Sequence, residues 1–395
     1  MNRRLRLLDF VWLPALLAGG PLCAQSFRDD GTAAFQAGDY KMAVDLFEKS
    51  LAVALKALKE EDQEIIERRA ELGEAYRAAG RLEDSIKQFD YIWKRTRFDA
   101  ENKHLWSAQE GTTAMGIAEK LGLSLLSTGQ YEEAIRVFTT ALYDAERNQR
   151  NDDALQFSAL LAEAQFIAKK DEEASMTVAR TSALAEKSGA NPVLQSRALS
   201  QLASVCMRQK QPGLAHPLAR RALEIAQKSE PEKSMKIPDY QTKLAAVLSQ
   251  TGALDEAEAL LKSARVAILK NETAQSPHLV TLLLVQSEIS LKKKLPDTAL
   301  KQAQEALDIC RQHFPEVHIL TGQSMKNLGD CRMALKQPNL AKALYADALV
   351  IMVKTMGADD AVTKETGEKL EKLEKTSSTD KVSPAKSSGK RARGK

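Results

Sequence analysis

Five histidines, His104, His216, His278, His313 and His318, are the side chains best suited to ligating a transition metal at neutral pH. No two of them stand three or four residues apart, the spacing that would put a pair on one helix face. The nearest pair, His313 and His318, flanks Pro315 in a stretch that reads as a link between helices. The cysteines Cys23, Cys206, Cys310 and Cys331 form no Cys-x-x-Cys motif. There is no glycine-rich phosphate loop and no Gly-x-Ser-x-Gly elbow for a nucleophile. Carboxylates are plentiful, but they come as helical pairs with bases, such as Glu132 and Glu133 with Arg136, the pattern of a solvated face. The residues therefore point to no enzyme chemistry, and no catalytic residue, metal or cofactor is expected.

What the chain does repeat is structural. Small residues at Gly31, Gly73, Gly122, Ala162, Ala203, Ala245, Ser287 and Gly329 recur at intervals of 42, 49, 40, 41, 42, 42 and 42. Each is followed about seven positions later by a break, then by an alanine, a bulky residue and a further small one. The apolar residues lie three or four apart on both sides of the break, which describes two amphipathic helices joined by a tight turn. The bulky Tyr or Phe is expected to fill the gap toward the next hairpin. Hydrophobic residues at 44% and aromatics at 5% suit an Ala/Leu-rich array, and no alternating β-branched run argues for a sheet.

The stretch Leu121-Gly122, Leu125, Gly129, Tyr131, Ala134, Phe138, Ala141 resembles the tetratricopeptide repeat, as do Leu72-Gly73, Tyr76, Gly80, Phe89 and Gly31, Gly38, Tyr40, Ala43, Phe47. The later copies keep fewer of these residues. A period near 42 exceeds the usual length of about 34, and the segment from Ala215 to Ile225 is similar to helix B of the kinesin-light-chain-like subgroup, with Pro217 near its first turn. The resemblance implies an all-α chain, a right-handed α-solenoid (superhelix) of about eight helical hairpins over 25–357. A capping helix over 358–375 follows, with Glu371 where a small residue would otherwise stand.

The ends differ from the body. Arg3, Arg4 and Arg6 precede an uncharged apolar stretch from Phe10 to Gly20 and then Leu22-Cys23-Ala24, the layout of a secretory signal over 1–24 with cleavage after Ala24. The expected location is therefore periplasmic or extracellular. Residues 376–395 have the composition of a disordered basic tail: from Lys375 onward seven Lys and Arg face Asp380 alone, and the body between the ends carries a net charge of −4. The tail reads either as a solvated extension or as a contact to a polyanion, and it has no aromatic residue to stack on bases. Cys206 replaces the helix A tyrosine and is expected in the core. Cys310 and Cys331 lie on consecutive helices, and the sequence leaves open whether they pair.

An array of this kind is expected to bind a protein or peptide segment along the groove lined by its first helices. Projecting the repeat places Arg77, Phe166, Met207, Arg208, Lys243, Leu291, Lys292, Lys326, Asn327 and Met333 on that groove. Their mix of basic and flexible apolar side chains calls for a partner of acidic and hydrophobic character. The alternative is a cytoplasmic adaptor that meets nucleic acid or an anionic surface through the tail.

Overall fold

The computed structural model describes residues 21–98, 111–186, 189–231, 233–358 and 360–379. The expected signal segment before Pro21 and the tail after Thr379 lie outside the described residues. Among the described residues there are seventeen helices and no strand. They pair as hairpins of a helix A and a helix B. The first unit, Met1–Ala190, holds α1 (Pro21–Gln36) with α2 (Tyr40–Ala54), α3 (Gln63–Ala78) with α4 (Leu82–Phe98), α5 (Gly111–Ser127) with α6 (Tyr131–Arg147), and α7 (Asn151–Ile167) with α8 (Asp171–Glu186). The second, Asn191–Lys395, holds α9 (Pro192–Arg208) with α10 (Pro212–Ser229), α11 (Lys236–Thr251) with α12 (Leu254–Asn271), α13 (Leu279–Lys292) with α14 (Pro296–His313), α15 (Ile319–Ala334) with α16 (Pro338–Met356), and the single helix α17 (Ala361–Thr379). The chain is an all-α helical-repeat solenoid.

The recurring small residue has a direct packing cause. A Cβ built at Gly31 would lie 2.8 Å from the ring of Phe47, at Gly73 2.7 Å from Phe89, and at Gly329 2.6 Å from Tyr345, and one at Gly122 would collide with Phe138. Each aromatic residue stands sixteen positions after its glycine, so the ring lies over helix A of its own hairpin. The ring can also reach the next hairpin, as expected: Phe138 lies 6.3 Å from the ring of Phe157 on α7. Where helix A carries Ala162, Ala203, Ala245 or Ser287 instead, the residue sixteen on shrinks to Val178, Ala219, Leu261 or Ala303. Ala162 with Val178 and Ala245 with Leu261 come near the volume of a glycine–phenylalanine pair, whereas Ala203 with Ala219 and Ser287 with Ala303 are smaller and leave space that a close-packed interior fills from neighbouring side chains.

The turns between A and B are built alike. Gly38, Gly80, Gly129 and Gly252 take φ values of 80°, 76°, 78° and 87°, the left-handed region that glycine enters without a Cβ clash. At Lys169, Lys210, Lys294 and Lys336 the same turn is made with φ of 63°, 57°, 61° and 59°. The following amide closes each turn by donating back to helix A, as Gln211 does to the Cys206 carbonyl at 2.9 Å and Gln337 to the Arg332 carbonyl at 2.9 Å.

At the N-terminal end α1 runs across the junction where cleavage after Ala24 is expected. The Ala24 side chain is buried, and its carbonyl accepts hydrogen bonds from Ser50 Oγ at 2.8 Å and from Arg68 Nη1 at 3.0 Å. Arg68 is 1% exposed, and its other amino group reaches Glu64 at 2.5 Å. Helix α10 starts at Pro212, so Pro217 is its sixth residue and lies beyond the first turn expected for it, exposed where a missing amide is tolerated at a solvated face. Cys206, Cys310 and Cys331 are buried free thiols. Burial pushes the Cys206 thiol up to about 11, while Cys310 lies 3.5 Å from Ser324 Oγ and Cys331 3.3 Å from Ser287 Oγ.

Candidate binding surface

In the second unit the A helices α9, α11, α13 and α15 touch one another in succession, and no pair of B helices packs to a comparable extent. The A helices are thus the inner layer of that unit, and the residues they leave unburied form its inner face. Met207, Leu291 and Met333 sit at the same place near the C-terminal ends of α9, α13 and α15, the first two half-buried and the third 39% exposed. Arg208 and Lys292 follow Met207 and Leu291 and are exposed.

The cations on this face are not equivalent. Lys243 Nζ lies 2.8 Å from Asp239 Oδ2 on its own helix, with the ring of Tyr240 at 5.8 Å, so its charge is already matched. Lys292 Nζ instead donates to the Ser249 carbonyl of α11 at 2.8 Å, a partner that leaves the ammonium charge uncompensated. Asn327 reaches across to the Leu284 carbonyl of α13 at 3.5 Å.

Lys326, placed on the groove by the repeat pattern, is taken up by the last helix. Its ammonium lies 3.0 Å from Asp330 and 3.4 Å from Glu365 of α17, and Lys369 of α17 closes the set at 2.7 Å from Asp330 and 2.9 Å from Glu365. Tyr345 donates its hydroxyl to Asp330 at 2.6 Å. Burial pulls the Lys326 ammonium down, but Asp330 and Glu365 outweigh it and hold the group above the ordinary lysine value. Burial likewise pushes Asp330 up, and Lys326 and Lys369 outweigh it and hold its carboxyl below the usual carboxylate range. Two cations and two anions in mutual contact, with a phenol as further donor, make this a clamp that seats α17 on the last hairpin. Lys326 is a structural residue here.

In the first unit the two expected groove residues part company. Arg77 is exposed at the end of α3 and pairs with Glu74 at 2.9 Å, and Glu74 also holds Lys120 of α5 at 2.5 Å. Phe166 has no exposed surface. Helix α7 is buried almost all round from Ala154 to Phe166, since it packs on α5, α6 and α8 together. Phe166 is therefore core, and the groove expectation is corrected for it.

The repeat profile described as the tetratricopeptide repeat matches residues 119–153, which cover the end of α5, all of α6 and the start of α7. Over those residues the chain matches the tetratricopeptide repeat, and its helical hairpins are similar to that repeat's. Its fold is that of the apo quorum sensor NprR of B. thuringiensis, at a TM-score of 0.53 with 15% identity, over 84% of this chain and 88% of that one. A tetratricopeptide repeat protein from Parabacteroides merdae gives a TM-score of 0.50 with 13% identity, over 89% and 99% of the two chains. At these identities the likeness is one of fold. In sequence, 89 residues are 34% identical to the clustered mitochondria protein homolog of Candida albicans, covering 22% of this chain and 6% of that protein's length. Tetratricopeptide-repeat arrays typically serve as scaffolds for protein or peptide partners rather than as enzymes. Among the described residues no group of three or more His, Cys, Asp or Glu is placed to hold a metal ion, and no helix is long and apolar enough to cross a membrane.

Two features of the chain escaped the repeat projection. The buried Arg68 has no counterpart in the repeat pattern. The left-handed lysines do have a sequence signature, since Lys210, Lys294 and Lys336 are each followed two residues later by a proline.

Proposed function

We propose that this chain is an exported, non-catalytic interaction scaffold that holds an extended segment of a partner protein against the helix A face of its second unit. The observation that carries the reading is the repeated pairing of flexible apolar side chains with cations on that face: Met207 with Arg208 and Leu291 with Lys292 at equivalent positions, and Met333 one hairpin further on. Methionine and leucine at a surface adapt to varied apolar partners, and Lys292 offers a charge that no carboxylate matches. A partner with apolar side chains and carboxylates answers both. Capture from extracts of the native host by the wild-type chain, and by a chain carrying Arg208→Glu and Lys292→Glu, tests the assignment. Loss of specific partners from the variant is the expected result, and identical capture overturns it.

Export is supported by the charged, apolar and small-residue order of the first 24 residues. A cut after Ala24 would remove the carbonyl shared by Ser50 and Arg68 and put a new ammonium beside Arg68. A cut before Pro21 would keep both bonds. Cell fractionation with N-terminal sequencing separates these outcomes. A cytoplasmic chain that retains Met1 would favour the alternative, an adaptor that meets a nucleic acid or an anionic surface through the seven basic residues from Lys375 onward.

A further inference from the structure

Three of the four A-to-B turns of the second unit read Lys-x-Pro: Lys210-Gln211-Pro212, Lys294-Leu295-Pro296 and Lys336-Gln337-Pro338. Each lysine is left-handed, and each proline opens its helix B. A left-handed lysine is strained where glycine is not, and the fourth turn, at Gly252, shows that glycine serves the geometry. Packing gives no reason for the choice. All three lysines are exposed, and among the described residues none makes an ion pair or side-chain hydrogen bond.

The surroundings repeat as well. Each lysine amide donates at 3.0 Å to the carbonyl of Met207, Leu291 or Met333, so an apolar side chain stands three residues before every ammonium. Helices α10, α14 and α16 start beside these lysines with no side-chain cap, and α10 and α16 have no acidic residue in their first turn. The positive end of each helix B thus adds to the lysine charge. Three of the four turns of the first unit do the reverse at the same place: Glu83 and Asp84, Glu132 and Glu133, and Asp171, Glu172 and Glu173 follow them.

We propose that this edge of the second unit is a docking strip for an extended, acidic segment of a partner protein, with one carboxylate over each lysine turn. The A helices α13 and α15 pack on one another, and the axes of packed helices lie about 8–10 Å apart, so the turns that end them are spaced on that scale. An extended chain of the polyproline II form rises about 3.1 Å per residue with three residues per turn, so acidic residues three apart share one face and meet successive turns, and side chains between them lie toward Leu291 and Met333. At Gly252 the strip offers no charge, so the segment needs no acid there. A peptide suits this better than a nucleic acid, because no aromatic residue occupies the three turns to stack on bases. The strip borders the helix A face and shares Leu291 and Met333 with it, while its charges, at Lys210, Lys294 and Lys336, are distinct from Arg208 and Lys292.

The test uses the full chain and a labelled synthetic peptide of about twelve residues, with glutamate at every third position and leucine between, alongside the same peptide with glutamine for glutamate. The combined variant Lys210→Gly, Lys294→Gly and Lys336→Gly removes the charges and relieves the backbone, so it should melt no lower than the parent. Its affinity for the glutamate peptide should fall about tenfold or more, while the combined lysine-to-arginine variant should keep it. Added salt should weaken the parent and leave the glycine variant nearly unchanged. Unchanged affinity in the glycine variant, equal binding of the glutamine peptide, or tighter binding of a single-stranded oligonucleotide than of the glutamate peptide would each overturn the proposal. None of these readouts involves Arg208→Glu or Lys292→Glu, so failure here and failure of the helix A reading are seen separately.

Discussion

The two units share one hairpin plan and spend it differently. Residues 25–190 hold 22 Lys and Arg against 30 Asp and Glu, whereas residues 191–374 hold 25 against 21. The first three hairpins keep glycine under a phenylalanine ring and glycine in the turn. From α7 to α14 the under-ring glycine becomes alanine or serine, the ring shrinks, and three of those four turns carry a left-handed lysine. The contrast teaches that a ring on helix B requires glycine beneath it on helix A, while a smaller helix B residue admits alanine or serine there. The turn position is then free to carry charge at a modest strain.

The most damaging way to probe this contrast is at the rings. Phe138→Ala should destabilise the α5–α6 hairpin by about 3–5 kcal/mol, whereas Ala219→Gly, at the same place in the α9–α10 hairpin, should cost about 1 kcal/mol. Urea unfolding with segment-resolved hydrogen exchange measures both. Importing the pairing of the fourth hairpin sharpens the comparison: Gly122→Ala alone should cost about 1–3 kcal/mol, and adding Phe138→Val should cost less than the two single changes combined. Strict additivity would refute the volume argument.

Next in size is the clamp on α17. Asp330→Asn should cost about 2 kcal/mol, because Lys326 and Lys369 would then have only Glu365 as a shared anion. Since Asp330 is held below its ordinary value, its contribution is complete above about pH 4 and is lost as pH falls through the lower folded value. Protection of α17 amides should therefore drop in acid in the parent, and the Asn variant should show a smaller step, which belongs to Glu365: burial pushes that carboxyl up, but Lys326 and Lys369 outweigh it and hold it below its ordinary value.

Smaller again, a chain beginning at Gln25 should be about 1–2 kcal/mol less stable than one beginning at Pro21, since the buried Arg68 loses an acceptor. Thermal melts of the two chains decide it. The smallest effect is at the turns. Lys210→Gly or Lys336→Gly should stabilise by about 0.5–1 kcal/mol, and Gly80→Lys or Gly129→Lys should destabilise by a similar amount. Equal responses in both units would mean that the left-handed lysines carry no strain.

The eight small positions were legible because a hairpin repeats its packing at a fixed period, so many weak matches reinforce one another. The helix ends followed from the same period, and α17 was marked by Glu371 standing exposed where the array would otherwise need a small residue. Side-chain pairing was much less legible. Lys326 and Lys243 have the right positions for a groove, but Asp330, Glu365 and Asp239 claim them, and the partner on α17 is 39 positions away from Lys326 in the chain. Phe166 was misplaced because α7 contacts helices on three sides, a crowding that one helix's pattern does not reveal. Arg68 depends on a carbonyl at Ala24, in a stretch whose composition spoke for export rather than for folding.

The ring over its own glycine, sixteen positions back, has a consequence for how such a chain can change length. The tightest contact in each hairpin is made and broken inside a single copy, so a copy carries its own fit wherever it is inserted. Duplication or loss of an entire copy leaves every other ring seated, while shifting the chain by a few residues within a copy unseats one. Growth by whole modules is therefore the gentle route, and most contacts that guide assembly are short-range ones that can form at several places at once.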